Sequence, residues 1–551
     1  MKKILILNFT RIGDLIQTTP LLAGLKEAGP CEITLVGNVS FIGICKNLPN
    51  IDVLKVFDVK RFINADGGAT SILDVYRYLD ALVNELKAGR YDVLINLSHS
   101  NLTAVMGRML EIPEVRGVYS TAEGNKVVND PWLTYFTSLL GFRHYNTFNL
   151  VDLYQLGGGV QPKARGLLID RKQPEEEAGK LLRELEIRDG EMLIGIQAGA
   201  SLKERRWPAE KFAASADALA KRFGAKVVLF GAPAEKELVD EVAGKITAPH
   251  INLGGKTTLE QLIGMVQRCN LLVTNDTATM HIAAAVGTPI VGLFLVHAFA
   301  AETGPYCQHA VVVEPEISCY PCGHHSSCPH YACFDMVTSA HIVAAAEMAL
   351  DLKTGKVPSA PPELFAGVRL LVPYFDECGF IDLRPLKKVS PRPQDILARM
   401  YRHLFMKSAC GAASGESWKA TLERDYQMPP RGELGKMMEK ECAAFNKLSS
   451  AAADGARIVG QALKFLQSGQ AEKARTLAKE IMDVDRRIEI AGLSNPELSP
   501  IVRLFAAGKA NLGDRPPMVM LQQAKMLYTE AGAASAAMER MAADLADGRT
   551  E

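Results

Sequence analysis

Apolar runs of strand length alternate with segments of helical periodicity along most of this chain, and that alternation confines it to parallel sheets covered by helices. Near the N-terminus the run KILILN suits a fully buried strand, and RIGDLIQTTPLLAGLKEAG after it carries apolar residues at helical spacing, with Gly29 as a stop. The unit recurs. EITLVG leads into a helix, YDVLINLS leads into TAVMGRML, and MLIGIQAG, AKVVLFGAP, INLGG and NLLVTND each run toward helical or glycine-bearing sequence. One series ends near Pro162 and a second opens near Met192, joined by a polar stretch that contains a charged helix. The expected fold class is therefore α/β, with two doubly wound, Rossmann-like domains facing each other.

Beyond about Leu352 the pattern changes. Pro358, Pro361, Pro362, Pro373, Pro385, Pro391 and Pro393 punctuate a stretch of little periodicity, so 353–393 is expected to be a Pro-rich linker or an irregular docking segment. From 394 to 551 the segments KMMEKECAAFNKL, ARIVGQALKFLQ and AEKARTLAKEIMDVDRRI read as helices separated by Gly and Ser turns, a C-terminal α-helical extension folded as a bundle. A length of 551 residues agrees with two large domains and an extension, at about 150 residues per domain. One run, His281 to Ala301, has nearly the length that crosses a bilayer, but Gly287, Thr288 and Pro289 divide it into an Ala-rich helix end and a strand, Pro-Ile-Val-Gly-Leu-Phe.

Lys plus Arg and Asp plus Glu each total 62, so the formal charge is zero, which argues against a strongly basic nucleic-acid binder. Eleven cysteines are too sparse for a disulfide scaffold, and MKKILILNF lacks a signal-peptide pattern, so a cytoplasmic location is the expectation. No G-x-G-x-x-G follows the first strand, which counts against a dinucleotide oxidoreductase.

Open parallel sheets bind ligands beyond the carboxyl ends of their strands, so the loops there carry the chemistry. After the first strand, Gly13 permits close backbone approach and Asp14, at a helix start, would project a carboxylate into the cleft between domains. Helix capping alone would also account for Asp14. In GIQAGASLKERRWPAEKF a small-residue loop exposes backbone N–H groups, and Lys203, Arg205 and Arg206 supply charge for a diphosphate, with a solvated basic turn as the plainer alternative. In NLLVTNDTATMHIAAAVGTP, Thr274, Asn275, Asp276 and Thr277 stand where a strand meets a helix N-terminus, an anion site by geometry and dipole. There Asp276 would accept bonds from sugar hydroxyls, or cap the helix. His281, inside that helix, reads first as a satisfied, partly buried side chain.

Together these segments resemble glycosyltransferase family 9, the ADP-heptose:lipopolysaccharide heptosyltransferases: RIGDLIQTTPLL, GASLKERRWP, VVLFGAPAEKE and LLVTNDTATMHIAAAVGTPIVGLF occur in the family's order, over roughly residues 1 to 350. The resemblance implies a GT-B architecture, with residues 1–165 as the N-terminal acceptor domain and 166–352 as the nucleotide-sugar donor domain. It implies inverting transfer that requires no metal or other cofactor, with Asp14 as general base. The implied donor-binding set is Gly13, Gly199, Ala200, Ser201, Arg205, Arg206, Gly231, Glu235, Asp276, Thr277, Ala278 and His281. Asp276 contacts the sugar, Arg206 the phosphates and Glu235 the nucleoside side. Two departures stand out. Relatives commonly carry glycine where this chain has Ala278, and a small glycine-containing loop where it has Leu295-Val296-His297-Ala298-Phe299. One tension concerns the base, since a carboxylate at a helix N-terminus is held ionised and so is weakly basic.

A loop over 307–333 concentrates Cys319, Cys322, Cys328 and Cys333, with His324, His325 and His330 interleaved and Cys307 near by. Four soft ligands would suit a structural zinc, although the spacing is not a standard finger pattern; reduced packing thiols or a redox-sensitive bridge are the alternatives. The expected partners are a nucleotide-sugar donor, ADP-heptose first, and a lipid-linked saccharide acceptor. Such an acceptor implies peripheral contact with the inner face of the cytoplasmic membrane, and the C-terminal helices are expected to bind a protein partner or dimerise. Two other readings are a transferase with another nucleotide sugar and a non-lipopolysaccharide acceptor, and a non-catalytic sugar-nucleotide scaffold.

Overall fold

A computed structural model of the chain describes residues 1–62, 71–323, 328–358, 361–410, 417–513 and 515–547. The chain divides into two compact units, one of Met1–Arg116 with Phe148–Lys387, the other of Gly117–Thr147 with Lys388–Glu551.

The first unit holds both Rossmann-like halves. In the N-terminal half, β1 (Lys2–Asn8), β2 (Cys31–Asn38), β3 (Val53–Phe57) and β4 (Val93–Asn96) are parallel and ordered β3-β2-β1-β4. The apolar runs of β1, β2 and β4 are buried on both faces, while β3 is only partly covered, and on one side Leu5, Leu7, Val36 and Leu94 pack with Leu82, Val83 and Leu86 of helix Ile72–Ala88. Each such side chain contributes about 1.5–3 kcal/mol. β5 (Glu114–Ser120) carries the chain out of this unit, and with β6 (Lys126–Val128) it forms an antiparallel hairpin.

The C-terminal half is an eight-stranded sheet. It contains β7 (Leu193–Gln197), β8 (Lys226–Phe230), β9 (His250–Asn252), β10 (Leu271–Asn275), β11 (Ile290–Leu293), β12 (Ala310–Pro315), β13 (Val368–Phe375) and β14 (Ile381–Pro385), in the order β14-β13-β12-β11-β10-β7-β8-β9. The run His281 to Ala301 is shared between helix Ala278–Val286, β11 and a loop, and no described helix is long and apolar enough to cross a membrane.

Two expected boundaries are corrected. Instead of a linker, 353–393 contributes β13 and β14, which extend the sheet antiparallel beyond β12. Proline density hid them. Pro373 lies past the stretch Val368–Leu371 that pairs with β12, so its missing N–H removes no bond from that ladder. Residues 117–147, expected within the N-terminal domain, belong to the second unit. There Tyr135 meets Phe405 edge-on at 5.0 Å, Arg402 donates to the Thr147 carbonyl at 2.7 Å, and the Asn511 amide exchanges bonds with the Val128 backbone at 2.9 and 3.2 Å. Sequence adjacency gave no sign of partners hundreds of residues away.

The second unit is otherwise helical, as expected of 394–551. Helices Arg431–Gln467 and Pro517–Asp547 pack along one another around a core that includes Tyr401, Phe445, Leu448 and Tyr528.

Candidate functional site

Four strands of the first unit end in a buried amide: Asn8 on β1, Asn96 on β4, Gln197 on β7 and Asn275 on β10. A polar side chain closing an apolar strand must be bonded, and several of these bonds shape loops at the strand ends. The Asn8 amide donates to Thr18 Oγ1 at 3.0 Å and its carbonyl receives the Thr10 N–H at 3.2 Å and the Thr10 hydroxyl, which shapes the turn into helix Ile12–Gln17.

Asp14 is the third residue of that helix, and Arg11 rather than Asp14 is its N-cap; the Asp14 carboxylate accepts the Arg11 N–H at 3.2 Å. The expected depression of its pKa is corrected. Asp14 keeps part of its surface open, but dense packing around the carboxylate strips hydration and raises the pKa above the ordinary 3.8, outweighing the Arg11 N–H, the Arg11 charge and the Thr10 hydroxyl. Tyr154, fully buried, feels the Asp14 charge, and its hydroxyl is held well above its usual range by burial and by that charge.

Gly13 brings this helix against the first turn of helix Ala278–Val286: a Cβ there would lie 3.0 Å from the His281 ring and 3.7 Å from the Ala278 Cα. His281 is buried, its pKa lowered to about 4 by burial, so the imidazole is neutral. One ring nitrogen, Nε2, lies 3.0 Å from Gln17 Nε2, whereas Nδ1 and Gln17 Oε1 have no hydrogen-bond partner among the described residues. The expectation of a satisfied histidine therefore holds for one nitrogen only.

In the C-terminal half, Asn275 donates to the carbonyls of Ala198 and Gly199 at 2.8 and 3.2 Å and so fixes the small-residue loop after β7. Arg206 directs Nε and Nη2 to the Ala200 carbonyl at 3.2 and 3.1 Å, bracing the loop, while Ser201 stays exposed. Trp207 is buried, its ring edge-on to Phe212 at 5.2 Å and its N–H donating to the Phe334 carbonyl at 3.2 Å. Glu235 accepts from Gln197 Nε2 and from the Ala232 N–H, each at 3.0 Å, and a Cβ on Gly199 would lie 2.1 Å from its carboxylate, so glycine is needed for this approach. Gly231 directly follows the neighbouring strand β8, and a Cβ there would meet Val239 at 2.6 Å.

Thr277 is the N-cap of helix Ala278–Val286, so Asp276 does not cap it, and the Thr277 side chain does not turn in to cap either; it meets Thr274 Oγ1 at 3.1 Å. Asp276 pairs with Arg205 at 3.4 Å and accepts from Thr303 Oγ1 at 3.3 Å. The structure thus brings Gly13, Asp14, Ala278 and His281 to one end of this helix, Arg205, Asp276 and Thr303 beside the same turn, and Gly199, Gly231 and Glu235 to the ends of β7 and β8. Gln17, Gln197 and Thr303 went unassigned in the sequence. For Gln197 a polar residue at the last position of an apolar strand was the available signal, and for Thr303 there was none.

The thiols of Cys319, Cys322, Cys328 and Cys333 are gathered: burial pushes Cys333 up to about 11, with smaller contributions from the other three. Among the described residues no group of three or more His, Cys, Asp or Glu is arranged to hold a metal ion, and none of these four cysteines is joined in a disulfide. Cys333 and Cys328 are engaged by backbone N–H groups, of Val296 and, at 3.2 Å, of Tyr331, and Cys319 is exposed. His330 receives the Ala332 N–H at 3.1 Å, while His324 and His325 lie outside the described residues. Cys307 is buried beside Lys353, with its thiol pushed up to about 12.

The sequence pattern of the family described as glycosyltransferase family 9 (heptosyltransferase) matches residues 79–331. Lipopolysaccharide heptosyltransferase 3 of Escherichia coli is 29% identical over 289 residues, 51% of this chain and 80% of that protein. The protein of that name from strain K12 is 31% identical over 293 residues, 51% of this chain and 79% of its own length. A crystal structure described as the glycosyl transferase family 9 from Veillonella parvula DSM 2008 has 27% identity and a TM-score of 0.52, covering 63% of this chain and 97% of that one.

Proposed function

The chain belongs to glycosyltransferase family 9, and from that premise we propose that it transfers heptose from ADP-heptose, with inversion, to a lipopolysaccharide core saccharide. The observation that carries this reading is the close approach of Gly13, next to Asp14, to His281 and Ala278 in the first turn of helix Ala278–Val286, which Asp276 precedes in sequence. Displacement at an anomeric carbon needs a base on the acceptor side and charge stabilisation where the diphosphate departs.

In this reading Asp14 takes the proton of the acceptor hydroxyl as its oxygen bonds to the anomeric carbon. The bond from that carbon to the diphosphate oxygen breaks, and the nucleoside diphosphate leaves with the electron pair. Its charge falls to the first-turn N–H groups of helix Ala278–Val286, aided by the helix dipole, and to the N–H groups of the Gly199–Ser201 loop. Arg206 keeps that loop in form through Ala200, and Asp276 accepts bonds from the sugar hydroxyls. Glu235 and Gly199 border the nucleoside side. A lipid-linked acceptor would be met at the inner face of the cytoplasmic membrane.

Calorimetric titration of the full chain with ADP, UDP and GDP in metal-free buffer tests the donor. ADP is expected to bind at least about tenfold more tightly than the others. Equal or tighter binding of UDP or GDP would replace the donor, and no binding of any would favour a non-catalytic role. Arg206→Ala is expected to weaken ADP about tenfold, as for the loss of two hydrogen bonds, with little change in melting temperature. Unaltered affinity would contradict the bracing role.

A further inference from the structure

Helix Leu150–Gly157 of the N-terminal half is buried along its whole length, including its polar residues Asp152 and Gln155. A buried carboxylate persists only where bonded donors replace its lost hydration. Those donors come from the C-terminal half. Tyr306 donates its hydroxyl to Asp152 Oδ1 at 2.6 Å, and the Ile381 N–H, on β14, donates to Oδ2 at 3.2 Å. The Gln155 amide approaches the Tyr306 oxygen at 3.5 Å, and Asn149, the N-cap of the helix, donates to the Gly304 carbonyl at 3.4 Å. Tyr306 is itself buried, its ring edge-on to Phe375 at 5.2 Å.

These bonds grip one short loop, Gly304 to Tyr306, from the opposite half of the unit. The loop turns sharply at Gly304, where a Cβ would lie 2.4 Å from the Ala300 carbonyl oxygen. Immediately before the gripped residues stands Thr303, whose hydroxyl donates to Asp276 Oδ2 at 3.3 Å. Arg205 also meets Asp276, at 3.4 Å. A continuous series of bonded groups therefore runs from the acceptor half to the carboxylate assigned to the donor sugar.

We propose that Asn149, Asp152 and Tyr306 are positioning residues for sugar recognition. They hold the Thr303–Tyr306 loop so that the Thr303 hydroxyl orients the Asp276 carboxylate toward the donor's sugar ring, and they leave the nucleotide part of the site untouched. The inference rests on the donor reading above and extends it, since it separates the residues that recognise the sugar from those that recognise the nucleoside diphosphate.

The test compares two ligands on the full chain. Tyr306→Phe removes one hydroxyl and keeps the ring packing; Thr303→Val removes the hydroxyl next to Asp276 and keeps the volume. Each is titrated with ADP-heptose and with ADP. Both variants are expected to bind ADP-heptose roughly tenfold more weakly than wild type, as for the loss of a hydrogen bond to a charged group, and to bind ADP within about twofold of wild type. If the variants lose both ligands equally, or neither, while wild type prefers ADP-heptose over ADP, the inference is overturned and the donor reading survives. A wild type that shows no preference for the sugar-bearing ligand overturns the donor reading and the inference together.

Discussion

Replacing Asp14 by Asn is expected to lower turnover by about 10²–10⁴-fold, the range for loss of a positioned base, while ADP affinity stays within about twofold. Asn preserves shape and removes the proton acceptor. The raised pKa of Asp14 sets the pH dependence. Activity needs the ionised form, so it falls as pH drops through the raised value, and the acid limb of kcat lies above the ordinary 3.8. Stability follows the opposite sign. A carboxyl whose pKa is raised on folding contributes stability below its unfolded value, and that contribution is lost as pH rises through the folded value. Asp14→Asn is therefore expected to melt at a higher temperature than wild type at pH 7, and the difference should close as pH falls toward 4. Turnover largely unchanged in the variant would remove Asp14 as the base, and a lower melting temperature at pH 7 would contradict its desolvation.

Replacing Trp207 by Ala is expected to destabilise the first unit by about 3–5 kcal/mol, the range for emptying a large buried aromatic site. The indole is enclosed, packed on Phe212, and bonded to the Phe334 carbonyl, so truncation opens a cavity and leaves that acceptor with only the Lys211 ammonium, at 2.9 Å, of its two side-chain donors. Because Trp207 follows Arg206, loss of the anchor should also loosen the Gly199–Ser201 loop and weaken ADP binding. Chemical denaturation monitored by the remaining tryptophans, Trp132 and Trp418, reports on the second unit, so circular dichroism or ADP-dependent melting must follow the first. A melting temperature within a few degrees of wild type would show that the loop is held without this anchor.

Much of the site was legible because its chemistry lies where strands end. Asp14, Gly199, Glu235 and Asp276 were all found by reading the loops after β1, β7, β8 and β10, and the structure brings each to the carboxyl edge of its sheet. What the loops did not disclose was the pairing of side chains. Arg205 and Arg206 are adjacent cations with the same sequence signal, yet one meets Asp276 and the other a backbone carbonyl. The direction of the Asp14 shift was also misread, since helix position alone argues for a low pKa and the packing around the carboxylate argues for a high one.

Local pattern determined the parallel strands of the two Rossmann-like halves, the glycines of their loops and the helical character of 394–551, because burial on both faces, turn geometry and helical period are written in neighbouring residues. Tertiary structure alone decided that 117–147 would join 388–551, that 368–385 would lengthen a sheet, and that Asp152 would be a buried grip on Tyr306, 154 residues onward. Each of those outcomes depends on whether a distant group arrives to satisfy an apolar face, a strand edge or a carboxylate, and no local period encodes that arrival.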